Sequence, residues 1–417
     1  MAPSCVSTPS KKMKTMLPTL RNPRVSTLAL LIGAMFGLPV QAGPNDALHV
    51  YGALGYGHDD NLLRVADGQP AFDNTLGDSW RTTEGGLVFD HMYSRQRINA
   101  YAKFSKVKFD HFTQLDYDGK DLLANWNWQI GNHLEGTAGV SYVQVLAPYT
   151  DFRSNERNLR QQRRTWFDGA WRFHPSWQVR TAASNDKFTY ELPGQRYNNR
   201  TEDAAEVGAD YLAASGSTVG LVARKVKGKY PNRRPVGQLL VDDTYDQDEV
   251  KAKVNWIASG STNVQLLAGW VKRKQLSLGE GSTSGVNGRL GATYTPRGKM
   301  TYNAAVWRDF APLESTIVSY TLNKGASVGA VYDATAKIQV DANAVYEKRN
   351  YNARLALSSQ TGLNDSIRSA TLRATYAPLR NVKLSLAYAH QARSGSAFLG
   401  TGQFKSNSIV FNASAQF

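Results

Sequence analysis

The feature that most constrains the fold of this chain is a two-residue alternation of apolar and polar side chains, which recurs from residue 47 to the end. In the stretch EVKAKVNW, one parity carries Val250, Ala252, Val254 and Trp256, and the other carries Glu249, Lys251, Lys253 and Asn255. The last stretch, IVFNASAQF, alternates in the same way and ends on Phe417. Period two indicates β-strands with one apolar and one polar face. Because no convincing helical periodicity accompanies it, the chain is predicted to be all-β.

The turns between these segments alternate between short and long. The short turns fall at residues 93–96, 131–133, 174–176, 215–217, 259–262, 296–298, 334–336 and 378–380. A longer or more polar loop, such as TDFRSNERNLRQQ or PNRRPVGQLLVDDTY, separates each short turn from the next. Outer-membrane barrels have tight periplasmic turns and larger external loops, so this pattern predicts a transmembrane antiparallel β-barrel of about 18 strands, or else about 16. An even strand count places both termini on the periplasmic side of a bacterial outer membrane.

The composition of the apolar parity separates a membrane barrel from a soluble β-sandwich, which also alternates but turns its apolar side inward. Aromatic residues recur on this parity beside the short turns, which is typical of an aromatic girdle at a membrane interface. These aromatic positions are Trp128, Phe173, Trp177, Tyr211, Trp256, Tyr294, Tyr376 and Phe417. Ala and Gly are also frequent there, and a lipid-facing wall tolerates them better than a packed core does. Both features favour the barrel.

The N-terminal segment has the organisation of a secretory signal peptide. Five basic residues and no acidic residue precede the short apolar run LALLIGAMFGLPVQA at residues 28–42. A basic region, a short apolar core and a small-residue cleavage site define such a peptide, and the core is too short to span a bilayer. We expect a signal peptide at 1–42 and a barrel at 43–417. The single cysteine, Cys5, lies in the part that would be removed, so the mature barrel is expected to have no disulfide.

Several stretches resemble one known family. They are YGALGYGHDDNLLRVADG, FDHMYSRQRINAYAKFSKVKFDHFTQLDYDGKDLLANWNWQIG, RTWFDGAWRFHPSWQV and APLRNVKLSLAYAHQARS. They look like the EpsL family of outer-membrane β-barrel proteins, which are encoded with exopolysaccharide biosynthesis and exosortase genes. The resemblance covers nearly all of the mature chain. It implies a Gram-negative outer membrane and a role in assembling or exporting extracellular polysaccharide, and it brings no catalytic motif.

No arrangement of residues in the sequence indicates an enzyme. Seven histidines are scattered along the chain, and none is paired at zinc-binding spacing with a second ligand on one strand face. There is no nucleophile elbow, and the GYG near residue 55 is followed by no helix that could hold a phosphate. The stretch HDDN at 58–61 offers oxygen ligands for calcium, although the beginning of an acidic loop is the simpler interpretation. We therefore expect no enzymatic activity, no metal site and no cofactor.

Charged residues on the polar parity suggest what the lumen contacts. The basic set is Arg172, Arg180, Lys251, Lys253, Arg289, Arg373 and Lys383. The same parity carries the acidic residues Glu135, Asp168, Glu206, Asp210, Glu249 and Asp341. One interpretation is a solvated wall with internal ion pairs that contribute little to stability. The other is a basic excess that raises the local concentration of an anionic polysaccharide.

A second basic set lies at the predicted outer ends of the strands, where a charged side chain on the lipid-facing parity costs little free energy. Lys225, Lys272, Lys274 and Lys348 have that parity and are predicted to contact lipopolysaccharide phosphates. Phe417 is predicted to be both the last lipid-facing anchor and the signal read by the barrel-assembly machinery. The export signal makes nucleic acid an implausible partner.

Three functions remain open from the sequence. The first is a non-enzymatic barrel that helps exopolysaccharide to cross or assemble at the outer membrane, and it follows from the resemblance. The second is a general porin for small solutes. The third is a barrel whose lumen is blocked and whose loops dock other export proteins. A charge-segregated constriction would favour the porin, whereas basic or aromatic residues along the full height would favour polysaccharide.

Overall fold

The protein folds into one closed antiparallel β-barrel. The computed structural model describes residues 47–152, 154–236, 238–275, 282–312, 320–351, 364–395 and 402–417. The predicted signal peptide at 1–42 lies outside the described residues.

The described residues form twenty strands. The first ten are β1 (Leu48–Asp59), β2 (Asp78–Tyr93), β3 (Gln96–Phe109), β4 (Tyr117–Ile130), β5 (Leu134–Leu146), β6 (Leu159–His174), β7 (Trp177–Tyr190), β8 (Arg200–Leu212), β9 (Thr218–Lys229) and β10 (Arg234–Val236). The others are β11 (Leu239–Val241), β12 (Tyr245–Ser259), β13 (Thr262–Gln275), β14 (Ser282–Tyr294), β15 (Met300–Pro312), β16 (Tyr320–Asp333), β17 (Ile338–Tyr351), β18 (Asn364–Leu379), β19 (Val382–Gly395) and β20 (Phe404–Gln416). Two short 3₁₀ turns lie at Thr113–Leu115 and Pro193–Asn198. None of the helical segments in these ranges is long and apolar enough to cross a membrane.

Eighteen of these strands form the barrel wall, and β10 with β11 forms a separate hairpin outside it. Each wall strand pairs antiparallel with its neighbours in the chain, and β1 pairs with both β2 and β20. The register of the closing pair runs from Tyr51 opposite Gln416 to Asp59 opposite Ser408. Beyond it, the backbone N–H groups of Val50 and Phe417 each donate to the carbonyl of the other residue, at 2.7 and 2.9 Å. The predicted 18-stranded membrane barrel, closed by its C-terminal strand, is confirmed.

The two faces of the wall follow the alternation of the sequence. Large apolar side chains on the outward parity are exposed, for example Val250, Trp256 and Leu221 at 60, 55 and 65 %. Polar side chains of the opposite parity, such as Glu249 and Lys251, point into the lumen and are buried. Outward aromatics flank the short turns, as predicted. They include Phe173, Trp177, Tyr211, Trp256, Tyr294 and Tyr376, whereas Trp128 is half-buried and stacks on Phe167.

The two ends of the barrel differ in the length of their connections. Both termini and the short turns lie at one end, which corresponds to the periplasmic side. The last of these turns falls at 380–381, two residues later than the predicted start of the turn. The longer connections lie at the other end, where several of them pack together around the apolar residues Leu62, Leu63, Val65, Phe112 and Leu115. One end of the barrel therefore carries short turns, and the outer end is covered by longer loops that pack together.

The membrane topology can be tested by surface labelling. A cysteine at Asn232, an exposed residue between β9 and β10, should react with an impermeant maleimide on intact cells. A cysteine at Gly260, in the short β12–β13 turn, should react only after the outer membrane is permeabilised. Equal labelling of the two variants on intact cells would contradict this orientation.

The closing strand can be tested at its last residue. Changing Phe417 to Asp keeps the backbone bonds to Val50 but places a charge where the apolar face ends. We expect a much smaller folded, heat-modifiable fraction in cells than for Gln416→Asn, which alters the neighbouring lumen-parity position. The readout is the unheated gel band of outer-membrane fractions. Equal folded fractions in the two variants would show that Phe417 is not an assembly signal.

Candidate lumenal site

The loop between β5 and β6, residues 147–158, crosses the outer mouth of the barrel, and we call it the crossing loop. Its Asp151 lies 2.8 Å from Nη1 of Arg349, which is on β17. In the wall order, β17 is half-way round the barrel from β6. The carbonyl of Thr150 also accepts a 2.8 Å hydrogen bond from Nη1 of Arg393 on β19. The tip of the loop is therefore fixed to the far wall.

The anchor on the far wall is a buried ion cluster. Asp365 has no exposed side-chain surface and accepts from Nε and Nη2 of Arg349 at 2.8 and 2.5 Å. Nε of Arg393 lies 2.7 Å from the same carboxylate, and the Tyr351 hydroxyl donates to it at 2.6 Å. Two guanidinium groups and the carboxylates of Asp151 and Asp365 balance in charge, which is how charges are kept at low exposure.

The near end of the crossing loop is held by apolar packing. Tyr149 packs into the cluster formed by Leu62, Leu63 and Phe112 from two other outer loops. Burial raises the pKa of the Tyr149 hydroxyl well above its ordinary value, so the group stays neutral. It donates a 3.1 Å hydrogen bond to the carbonyl of Glu156 within the same loop. The crossing loop thus has an apolar anchor on one side of the mouth and an ionic anchor on the other.

One side of the lumen, from β6 to β12, carries closely paired charges. Nε of Arg180 lies 2.5 Å from Asp210, which is 3 % exposed, and a second carboxylate, Glu206, is 3.9 Å from Nη1. Further along the wall, Nζ of Lys251 lies 2.7 Å from Glu249. Positive and negative groups alternate on this wall, so its described residues do not form the charge-segregated constriction that would favour a general porin.

The wall from β13 to β17 is mostly uncharged in its periplasmic half. A recess of about 580 Å³ opens there between small residues and polar side chains. Its polar lining consists of Asn263, Gln265, Arg289, Thr293, Asn303, Ser327 and Asn343. Amides and hydroxyls can both donate and accept hydrogen bonds, so this surface suits hydroxyl-rich solutes. The lumen therefore has a charged wall and a neutral, hydrogen-bonding wall.

The predicted lumenal cations all lie on the lumen face, but they are not equivalent. Arg180 and Lys251 are in the pairs described above, whose carboxylates are buried rather than solvated as the first interpretation assumed; the small contribution of such pairs to stability stays a prediction. Their carboxylate partners, Asp210 and Glu249, are at most 5 % exposed, so removal of the cations would leave buried unpaired charges. Among the described residues, no carboxylate lies within ion-pairing distance of four of the other predicted lumenal cations. These are Arg172, Arg289, Arg373 and Lys383. For Lys253 there is likewise no direct ion pair, although it lies near Arg180 and Asp210.

The predicted lipopolysaccharide contacts all lie on the outward parity at the outer end of the wall. Lys225 is 3.1 Å from Asp248 in an exposed pair. Within the described part of the chain, Lys272, Lys274 and Lys348 have no ion-pair partner. Lys348 stands directly opposite Lys324 on β16, a residue that the sequence pattern did not single out. The contact with lipopolysaccharide remains a prediction.

The residues considered for metal binding are used in other contacts. The carboxylate of Asp59 binds both terminal nitrogens of Arg64 at 2.9 Å, and Asp60 accepts from the side chain of Asn407 at 2.6 Å. The HDDN stretch therefore fixes its own loop against β20. Among the described residues, no group of three or more His, Cys, Asp or Glu side chains is arranged to hold a metal ion.

Comparisons with known proteins give only distant likenesses. No family model matches the chain, and no curated protein matches it in sequence. Solved structures that resemble it include the outer membrane protein OpdK from Pseudomonas aeruginosa, with a TM-score of 0.49 and 12 % identity over 89 % of this chain and 99 % of that one. OccAB3 from Acinetobacter baumannii gives a TM-score of 0.48 with 11 % identity over 89 % and 99 % of the two chains. OccK2 (OpdF) from Pseudomonas aeruginosa gives 0.49 with 9 % identity over 89 % and 97 %.

The closed wall, the outward apolar band and the aromatic residues near the turns define the class of protein. Only a barrel without free edges satisfies the backbone of a sheet in lipid, and barrels of this architecture belong to the outer membrane. The chain is an outer-membrane β-barrel protein, and its first described residues and Phe417 lie at the end of the barrel that carries the short turns.

The ion cluster at the far wall can be tested by one near-isosteric change. Asp365→Asn leaves Arg349 and Arg393 buried with less negative charge, so we expect a loss of folding stability on the order of 3 kcal/mol. The matched control is Asp248→Asn, in the exposed pair with Lys225, which should cost under about 1 kcal/mol. The measurement is urea unfolding in lipid vesicles, followed by tryptophan fluorescence. Similar losses for the two variants would contradict the assignment of a buried anchor.

Proposed function

We propose that this protein is a non-enzymatic outer-membrane channel for small hydrophilic solutes, narrowed at its outer mouth by the crossing loop. The observation that carries the proposal is the ion pair of Asp151 with Arg349, which fixes the loop across the mouth. A loop held in this way divides the entrance. A thick polymer would have to displace it, whereas a small solute can pass beside it.

The lining of the lumen supports the same function. The β6–β12 wall offers fixed charges that are balanced in pairs, and the β13–β17 wall offers amides and hydroxyls. Such a lining replaces water around a polar solute through many weak contacts. It exerts no strong selection by net charge, since most of the buried charges are neutralised by a neighbour.

Release of the crossing loop tests the channel. Asp151→Ala removes the ionic anchor but leaves Arg349 paired with Asp365. We expect a larger single-channel conductance in planar bilayers, by a factor of about two, and a larger sugar size limit in liposome swelling. The control is Asp248→Ala, which removes an outward-facing carboxylate.

The outcomes separate the remaining functions. Unchanged conductance in the Asp151→Ala variant would show that the crossing loop is not the constriction. A wild-type protein and a variant that both fail to conduct would favour the blocked barrel that docks export partners.

A second candidate function is passage of an anionic exopolysaccharide, as the resemblance to the EpsL family implies. The observation in its favour is the set of four lumenal cations without ion pairs, Arg172, Arg289, Arg373 and Lys383. Arg172 and Lys383 lie beside the periplasmic turns, and Arg289 borders the neutral recess. A polyanion would meet positive groups from the periplasmic entrance into the middle of the lumen, with Asp341 opposite Arg373 and Asp309 acting on Arg289.

Neutralisation of these four cations tests polysaccharide passage without disturbing the buried pairs. Replacement of Arg172, Arg289, Arg373 and Lys383 by Gln should reduce surface polysaccharide several-fold in cells that produce it. The effect should shrink as ionic strength rises, because screening acts beyond about 10 Å at 0.1 M salt. The control changes four outward lysines to Gln, namely Lys106, Lys108, Lys225 and Lys227. Unchanged polysaccharide with a folded lumenal variant would exclude these cations from the route.

A further inference from the structure

The barrel wall is discontinuous in its outer half, between β14 and β15. The register joins residues 288–294 to 302–308 and ends at Gly288 opposite Arg308. Both strands continue beyond that pair, to Ser282 and Pro312, and each remains paired with its other neighbour. Among the described residues, no register pair joins 282–287 to 309–312. We call this place the seam.

At the seam, the outer ends of β15 and β16 lie inward of the barrel wall. The ring of Tyr320 on β16 lies 4.6 Å from the guanidinium carbon of Arg273 on β13, although β14 and β15 separate these strands in the wall. The ring centroids of Phe310 and Tyr320 are 6.0 Å apart, and both residues belong to a buried cluster with Val271. This contact requires the ends of β15 and β16 to lie over the inner face of β14. Gly285 permits the overlap, since a Cβ there would lie 3.3 Å from Nη1 of Arg308.

The seam differs from the other short register of the wall, between β1 and β2. Only Leu48, His49 and Val50 are in register with β2. Further out, however, His58 Nδ1 lies 3.0 Å from Ser79 Oγ, so these two strands stay side by side. The β14–β15 seam is thus a divergence of strands rather than a local irregularity.

The inner side of the seam holds a buried cation with an unused binding edge. Arg273 is 3 % exposed, lies between the rings of Tyr245 and Tyr320, and donates from Nη1 to Gln247 at 3.3 Å. Its Nε and Nη2 atoms are buried and have no acceptor among the described residues. On the same inner face, the side-chain amide of Asn287, which is 1 % exposed, has no partner at either atom in the part of the chain that the structure describes. Buried donors without acceptors are costly, above all on a charged group.

The two unused donors of Arg273 suit a carboxylate. Nε and Nη2 of an arginine are parallel donors that match the two oxygens of a carboxylate. The rings of Tyr245 and Tyr320 lie against the guanidinium and limit the directions from which a ligand can approach it. The neighbouring side chains of Val271 and Phe310 are apolar. They offer a surface to an acyl chain.

A row of three basic residues with outward parity runs across β15, β16 and β17 at the seam. Arg308, Lys324 and Lys348 are opposite one another on β15, β16 and β17. Arg308 donates to the carbonyl of Val286 and so bridges the seam. Like charges placed directly opposite destabilise a sheet, so an anion beside Lys324 and Lys348 would relieve their repulsion. This row attracts anions to the place where the wall can part.

From these observations we infer that the seam is a lateral binding site for an acyl-chain carboxylate of the outer leaflet. Lys324 and Lys348 attract the headgroup, parting of the Arg308 bridge admits it, and Nε and Nη2 of Arg273 bind it. The acyl chain lies against Phe310 and Leu322 and extends towards the lipid. The inference does not depend on conduction through the lumen.

Native mass spectrometry of the refolded full barrel in neutral detergent tests the site. The probe is myristate, and monomyristin, with the same chain and no charge, is the chemical control. We expect one bound myristate per barrel, at least tenfold tighter than monomyristin. Arg273→Gln should abolish that preference. Lys106→Gln, which removes an outward-facing cation on β3, should preserve it.

A second measurement keeps the test independent of variant folding. A myristate analogue with a photoreactive chain should label the wild-type protein within residues 282–288, 308–312 or 320–324. Labelling elsewhere, equal binding of monomyristin, or unchanged binding by folded Arg273→Gln would each overturn the inference. A dimer joined through the seam, seen as a doubled mass that excludes myristate, would also overturn it. A wild-type barrel that binds myristate but fails to conduct would reject the proposed channel and leave this site intact.

Discussion

The structure depends on one constraint, which is that a sheet in lipid must satisfy every backbone hydrogen bond within itself. Closure of β1 against β20 meets this requirement for the first and last strands, and the final residue takes part through the backbone of Phe417. The alternation of side chains follows from closure, because each strand then has one face in lipid and one in the lumen. Where the wall parts at the seam, Arg308 replaces part of the missing backbone pairing with a side-chain bond to Val286.

The lumen meets a second requirement, which is that charges removed from water need partners. Asp210 and Glu249 are each held by a cation within 2.7 Å, and Asp365 has two arginines against it. Such pairs contribute little net stability relative to apolar packing, but loss of one partner is expensive. Their value here is positional, because they hold the side chains of the wall and the tip of the crossing loop in one arrangement. Arg273 differs from these groups, since its Nε and Nη2 atoms are buried with no acceptor in the described ranges.

Local periodicity explains how much of the fold is predictable from sequence. The parity of Val250, Trp256 and Lys348 is correct because the face of a strand residue depends only on its neighbours in the same strand. Parity also brings Arg180 and Asp210 to one face, but it cannot show that Asp210 is 3 % exposed, since that depends on how the wall packs.

The crossing loop and the seam show where local rules fail. The partners of Asp151 are Arg349 and Arg393, about two hundred residues later in the chain, and no short-range pattern links them. Phe310 has the outward parity of β15 and would be assigned to lipid. It is 7 % exposed and packs inside, because β15 leaves the wall before reaching it. The parity rule holds only while a strand remains paired on both sides.

The same argument connects the two unusual features at the outer end. The crossing loop is anchored to β17, β18 and β19 through Arg349, Asp365 and Arg393. The inward ends of β15 and β16 are continuous with that region, because β16 pairs with β17 up to Thr321 opposite Tyr351, and Tyr351 donates to Asp365. A movement of β16 at the seam would therefore act on the hydrogen-bonded neighbour of the anchor, which is a contiguous physical link between the two places. Binding at the seam and displacement of the crossing loop would then be coupled processes. Each would change the free energy of the other by the same amount.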